Sequence, residues 1–236
     1  MSQGIRTRLR RWARYVLIAV ALAVLATSTL VILTWPDVAS LATENPKATA
    51  FIKQTRSRGT DIEWYWVPSE AISPELKKAV LVAEDLSFFR HRGFDTYEIR
   101  VAARDAVRGK RVRGASTITQ QLAKNLWLSP SRSPIRKLRE ITLTKQLERH
   151  LSKARILEIY LNVVEFGPGI YGAEAASRHY FGTPASNLNR EQAAQLAASL
   201  PRPKSWHPGV QSNGYERSVS RIIDLVDQCD WLEKYL

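Results

Sequence analysis

The chain has 236 residues, a formal net charge of +13, four histidines and one cysteine, Cys229. One cysteine excludes an internal disulfide and a cysteine metal cluster, and four scattered histidines argue against a zinc site. A basic excess of this size points to nucleic acid in a soluble protein, but to anionic lipid or a phosphorylated substrate in a membrane-attached one.

The N-terminus decides between those settings. Arg6, Arg8, Arg10, Arg11 and Arg14 make a cationic flank over residues 1–14, free of acids, and Tyr15 to Trp35 follow without a charge. At 1.5 Å per residue, residues 15–35 span about 30 Å, enough to cross a bilayer core. Trp12, Tyr15 and Trp35 sit at the edges, where amphipathic rings prefer the interface. The reading is an uncleaved single-pass transmembrane helix. Its rival is a cleaved signal peptide, since Ala21-Leu22-Ala23 resembles a cleavage signal. A positive flank stays in the cytoplasm, so residues after Trp35 face the extracytoplasmic side. That side excludes nucleic acid as a partner.

Residues 36–60 are mixed and polar and read as a stalk or a small entry helix lying close to the membrane. Residues 61–236 read as one domain of ordinary size. It opens with Asp61 to Pro68, whose Trp64, Tyr65 and Trp66 suit a strand or a packed lip. Ser73-Pro74 is an N-cap followed by proline at the first helical position. The apolar run Ala79 to Ala83 continues into Glu84-Asp85, and Gly93 marks a stop. The expected helix runs from about Pro74 to about Arg90 and carries Glu84 inward. Burial disfavours a carboxylate's charged form, so Glu84 should have a raised pKa, as a general base working near neutrality requires. The alternative is a structural glutamate paired with an arginine.

Asp95 or Thr96 can cap a helix from about Tyr97 to Val107, and Gly109 to Gly114 is a cationic, flexible loop. A helix from about Ser116 to Leu126 follows. There Ser116, Gln120 and Lys124 recur every four residues and would share a polar face. Trp127 to Ser133 is a loop, and Ser133-Pro134 starts a helix to about His150. On it Arg136, Lys137 and Arg139 surround Glu140. A carboxylate so surrounded suits orienting a cation better than abstracting a proton; spacing alone leaves an ion-paired surface glutamate equally open. Ser152 caps a helix to about Leu161, and a glycine-rich turn over Gly167, Gly169 and Gly172 follows. Further helices are expected at Tyr171 to Tyr180, at Arg190 to Leu200 behind an Asn189/Gln192 capping box, and at Tyr215 to about Tyr235. Strands are scarce, so the fold class is mainly α. From Arg100 to Arg155 there are fifteen Lys or Arg against three acids, Asp105, Glu140 and Glu148. Beside a membrane anchor, that asymmetry suggests a cleft that grips phosphate or diphosphate.

Five ordered blocks resemble one family: Glu84 to Asp95, Arg113 to Asn125, Arg136 to Glu140, Lys153 to Asn162, and Tyr171 to Ala176 with Tyr180 to Gly182. Together they are similar to the monofunctional biosynthetic peptidoglycan transglycosylases, single-domain relatives of the glycosyltransferase half of bifunctional penicillin-binding proteins. The likeness covers roughly Trp64 to Tyr215. One departure is Gly114-Ala115, where many relatives have two glycines. The resemblance implies a lysozyme-like helical glycosyltransferase head with a small membrane-facing jaw at roughly Phe94 to Arg113. It implies lipid II, a disaccharide-pentapeptide on undecaprenyl diphosphate, as substrate, and polymerisation with inversion and release of undecaprenyl diphosphate. By the same likeness Glu84 is the general base and Glu140 lies near the donor diphosphate. Lys124 with Arg136 or Lys137 would neutralise that leaving group. Ser116, Gln120 and Gln121 would line the groove, and Asp85, Phe88, His91, Thr117 and Asn125 fall in the substrate-binding blocks. Arg100 and Arg104 are alternative jaw contacts. No tightly bound cofactor is implied; a divalent cation, Mg2+ or Mn2+, at Glu140 is the metal option. The implied partners are lipid II, the growing strand, membrane lipid and other cell-wall synthesis or division proteins, at the bacterial inner membrane with the catalytic domain periplasmic.

No Ser-x-x-Lys and no Lys-Thr-Gly is present, as an acyl-enzyme penicillin-binding domain would need, so a monofunctional enzyme is expected. Two rivals stand beside this reading. A lysozyme-like glycan hydrolase needs a carboxylic acid to protonate a sugar leaving group, whereas a diphosphate leaving group needs cations, which the Arg100 to Arg155 excess supplies. A membrane-tethered module for anionic lipid would use the basic surface and have no need of Glu84.

Overall fold

The computed structural model describes residues 3–109, 116–131 and 133–236. The chain divides into two compact units, residues 1–37 and 38–236. The first unit is built on α1 (Gln3–Leu33), within which Trp12–Leu33 is long and apolar enough to cross a membrane. The side chains of Arg6, Arg10 and Arg11 lie outside the described residues, as do Lys110 to Ala115 of the expected cationic loop and Arg132.

The second unit is a helical head. The segment expected as a stalk is part of it from Val38 onward. Its α2 (Ala50–Ser57) starts from Thr49, whose hydroxyl accepts from the Ile52 N–H at 3.0 Å, and Ile52 is fully buried. Arg155 ties the preceding turn down by donating to the carbonyls of Leu41 and Glu44, each at 2.9 Å. Of the two expected alternatives, stalk or small entry helix, the described residues contain the helix, and a distant arginine holds the turn before it.

α3 (Pro74–Glu84) begins at the expected Ser73 cap, and residues Leu76 to Val82 are all buried. It ends at Glu84, about one and a half turns earlier than Arg90. Asp85 leaves helical geometry with φ −161° and ψ 74°, because its carboxylate is engaged elsewhere in the fold. Turns lead to α4 (Thr96–Val107), capped by Asp95, whose carboxylate accepts from the N–H groups of Tyr97 and Glu98. α4 occupies the stretch expected for the jaw.

α5 (Ile118–Trp127) starts from Thr117 with a complete capping box: Gln120 Oε1 accepts from the Thr117 N–H at 3.0 Å. α6 (Pro134–His150) and α7 (Lys153–Val163) follow with their serine caps in place and pack on α5. β1 (Glu63–Trp64), β2 (Glu165–Gly167) and β3 (Ile170–Tyr171) form a small sheet in the order β1-β3-β2. Gly172 follows at φ +83°, and a Cβ there would stand 2.6 Å from the Asn162 carbonyl oxygen, so only glycine fits. α8 (Ala173–Phe181), α9 (Arg190–Ser199) and α10 (Asn213–Val226) complete the head. α3 packs against α9 and α10. α10 stops at Val226 rather than near Tyr235, and a separate 3-10 turn, Asp230–Tyr235, folds back. There Tyr235 stacks on Phe89 at 4.5 Å, Arg90 covers Trp231 and Lys78 binds Asp230 and Glu233. These contacts outweigh one continuous helix.

Candidate active site

The early end of α3 puts Glu84 at the mouth of a cavity of about 1050 Å³. Glu84 is half-buried, with protein packed around most of its carboxyl, and this burial raises its pKa. Two neighbours oppose the rise. Gln121 donates its side-chain N–H to Glu84 Oε2 at 2.6 Å, and Lys124 lies within electrostatic reach. The Gln121 amide is itself held: the Tyr160 hydroxyl donates to Gln121 Oε1 at 2.9 Å. Tyr160 is fully buried, which pushes its own pKa well up and keeps the hydroxyl a donor. A chain Tyr160 to Gln121 to Glu84 therefore fixes which face of the amide meets the carboxylate.

Lys124 connects this carboxylate to a second cluster. Burial lowers its pKa, Glu140 and Glu84 raise it, and Arg136 and Lys137 lower it, so all four groups act on the ammonium electrostatically. It also stands 5.8 Å from the centre of the Phe51 ring, contributed by α2. Glu140 is buried and clamped from both sides, accepting from Arg136 at 2.9 Å and from Lys137 at 2.5 Å. Arg136 Nε is buried with no hydrogen-bond partner among the described residues, a donor kept in reserve beside these cations. Both Glu140 oxygens are taken, and no group of three His, Cys, Asp or Glu that could hold a metal occurs among the described residues. This donor set does not fit a resident divalent cation, and no chemical step is assigned to one.

The other residues singled out from the sequence separate into two groups. Ser116, Thr117, Gln121 and Asp85 line the cavity with Glu84. Asp85 is buried and serves as a bracket: Oδ2 accepts from the Ile118 N–H at 3.0 Å, and His91 Nε2 lies 2.9 Å from Oδ1. Because the Gly93 N–H donates to His91 Nδ1, Nε2 carries the proton that Asp85 accepts. His91 thus supports the site from behind. Phe88 is completely buried with Lys153 over its ring at 4.4 Å, so it is a core residue and presents no surface to a substrate. Gln120 is buried in the capping box and does not share a groove-facing stripe with Ser116 and Lys124. The Thr117-x-x-Gln120 spacing carries that capping signal. Asn125 is buried and outside the cavity lining, and Arg100 and Arg104 are exposed on α4, also outside it. Tyr160 and Phe51 were not singled out; a tyrosine in an apolar helix and a phenylalanine in a polar stretch read as ordinary packing.

The head thus holds a largely buried carboxyl group within electrostatic reach of a lysine and an arginine–lysine cluster. Comparison with known proteins identifies the family. A family model described as Transglycosylase matches residues 48–227. The chain is 48% identical over 186 residues to the "Biosynthetic peptidoglycan transglycosylase" of Nitrosospira multiformis, covering 76% of this chain and 81% of that protein. To the protein so named in Shewanella oneidensis it is 56% identical over 163 residues, covering 69% and 70%. A third, from Thiobacillus denitrificans, is 47% identical over 185 residues, covering 75% and 80%. The chain belongs to the transglycosylase family, among the monofunctional biosynthetic peptidoglycan transglycosylases, and is a peptidoglycan glycosyltransferase. Its N-terminal helix is a single-pass anchor in the inner membrane, with the catalytic head on the periplasmic side.

Proposed function

We propose that the protein polymerises lipid II. Glu84 takes the proton from the acceptor sugar's 4-hydroxyl. The oxygen attacks the donor's anomeric carbon from the face opposite the diphosphate, so an α linkage becomes β. Lys124, Arg136 and Lys137 hold the departing undecaprenyl diphosphate, offsetting the charge that develops on it. Glu140 orients Arg136 and Lys137 for that task.

One juxtaposition carries the reading. A carboxyl group made basic by burial neighbours Lys124, and Lys124 neighbours the Arg136–Glu140–Lys137 cluster. A glycan hydrolase would pair an acidic carboxyl with a second carboxylate aimed at the sugar. The adjacent Asp85 is instead committed to Ile118 and His91.

The test is incubation of purified full-length protein with lipid II, followed by separation of the products. Long strands are expected from wild type. Glu84→Gln should lower the rate by at least about a hundredfold while leaving the circular dichroism spectrum unchanged, the scale of a lost general base. Strand synthesis by folded Glu84→Gln protein would remove Glu84 as the base, and short fragments from wild type would favour hydrolysis.

A further inference from the structure

The cavity at Glu84 has a second wall, supplied by residues distant in sequence from the cationic cluster. It consists of Pro201 and Trp206 from the connection after α9, and Arg217, Ser218 and Arg221 from α10. Arg217 and Arg221 are one turn apart on the same face of α10, and both are exposed. Like charges four apart on a helix repel and cost stability. Neither arginine makes an ion pair or side-chain hydrogen bond with a described residue, although Asp224 stands three residues after Arg221. Four other arginines of the head, Arg136, Arg155, Arg178 and Arg190, pair with a nearby acid, whereas Arg100 and Arg104, like Arg217 and Arg221, do not; what marks the α10 pair is its place in the cavity lining. Both line this cavity and also a neighbouring hollow with Glu216 and Asp224, and two guanidinium groups without an acid partner form a place for an anion.

Trp206 is held in place beside them. Arg202 covers its ring at 5.0 Å, and a Cβ on Gly214 would come within 3.0 Å of its Cζ2 atom. The bare backbone of α10 thus rests against the indole, giving a pre-set flat surface of the kind that packs on a sugar or a peptide. The cavity lining also carries Glu84, Asp85, Asp95 and Glu98. These acids oppose a densely charged diphosphate more than a singly charged group, and Lys124, Arg136 and Lys137 already provide for the diphosphate. The anion suited to the α10 wall is one attached to the sugar yet separate from the diphosphate. In a disaccharide-pentapeptide lipid, the peptide carboxylates are such groups.

We propose that Arg217 and Arg221, with Trp206 as a platform, form a subsite for the carboxylate-bearing peptide branch of the substrate. The inference rests on the lipid II reading and adds to it a determinant of which peptide is accepted.

The experiment is steady-state polymerisation by the full-length protein in detergent, with lipid II and with the same lipid carrying amidated peptide carboxylates. Wild type should show a KM for the amidated lipid higher by roughly five- to tenfold, the scale of two surface charge contacts. Arg217→Gln/Arg221→Gln should raise KM for unmodified lipid II to the amidated value and abolish the discrimination, with the change in KM rather than kcat. Arg217→Lys/Arg221→Lys should keep part of it, separating lost charge from lost folding. Equal KM values for the two lipids in wild type would overturn the subsite alone, as would discrimination that survives in the glutamine variant. No strand from wild type with either lipid would overturn the polymerase reading and the subsite with it.

Discussion

At the scale of single residues, the proposed mechanism depends on the protonation state of Glu84. Burial raises its pKa, while the Gln121 hydrogen bond and Lys124 lower it. A base must be ionised to work, so the rate should fall as pH drops through a value above the usual carboxylate range. Tyr160 enters this balance through Gln121. Tyr160→Phe keeps the ring and removes the hydroxyl, freeing the amide to turn away from Glu84. The bond that favours the charged form is then weakened, so the acid limb of the kcat profile should move to higher pH. kcat should fall by roughly tenfold, the equivalent of about one hydrogen bond. An unmoved acid limb in a folded variant would reduce Tyr160 to packing.

At the scale of elements, the working part is the junction between α3 and α5. The sequence pattern supports a helix running on past Glu84, and the fold interrupts it. Asp85 stops α3 by giving its carboxylate to the first turn of α5 and to His91. This places Glu84 on α3 opposite Gln121 and Lys124 on α5. Asp85→Ala would leave the buried Ile118 N–H and His91 Nε2–H without their acceptor. A loss of at least about 2 kcal/mol in unfolding free energy is expected, measured by urea denaturation, together with lost activity. Asp85→Asn keeps one acceptor oxygen and should lose less. Equal stability of Asp85→Ala and wild type would show that the junction is held by other contacts. Thr117 falls inside the helix expected from Ser116, but the serine caps of α3, α6 and α7 were legible, because a cap is set by neighbours within three residues. The stop at Glu84 was not, because its cause lies thirty-three residues away.

At the scale of the whole molecule, charge and topology act together. The basic flank before Trp12 sits on the cytoplasmic side, and the apolar helix after it places the head across the membrane. A reporter that is active only after export, fused behind Leu236, should therefore be active. Activity solely of a cytoplasmic reporter at the same position would reverse the orientation. The basic excess between Arg100 and Arg155 is a field of the sign that attracts anionic lipid and, in the proposed reaction, the diphosphate. Within that field the cations are specialised: Arg155 straps residues 41–45 to α7, while Lys124, Arg136 and Lys137 gather at the site.

The sequence by itself determined the anchor, the helical character and most of the caps. Those properties follow from composition, from periodicity and from interactions between residues a few positions apart. Only the tertiary structure decided that Phe88 and Gln120 are structural, that α2 lends Phe51 to Lys124, and that Tyr160 orients Gln121. It also brought Arg217 and Arg221 to the cavity that Glu84 faces. Each of these depends on which helix lies against which, and such long-range contacts leave no local pattern in the order of the amino acids.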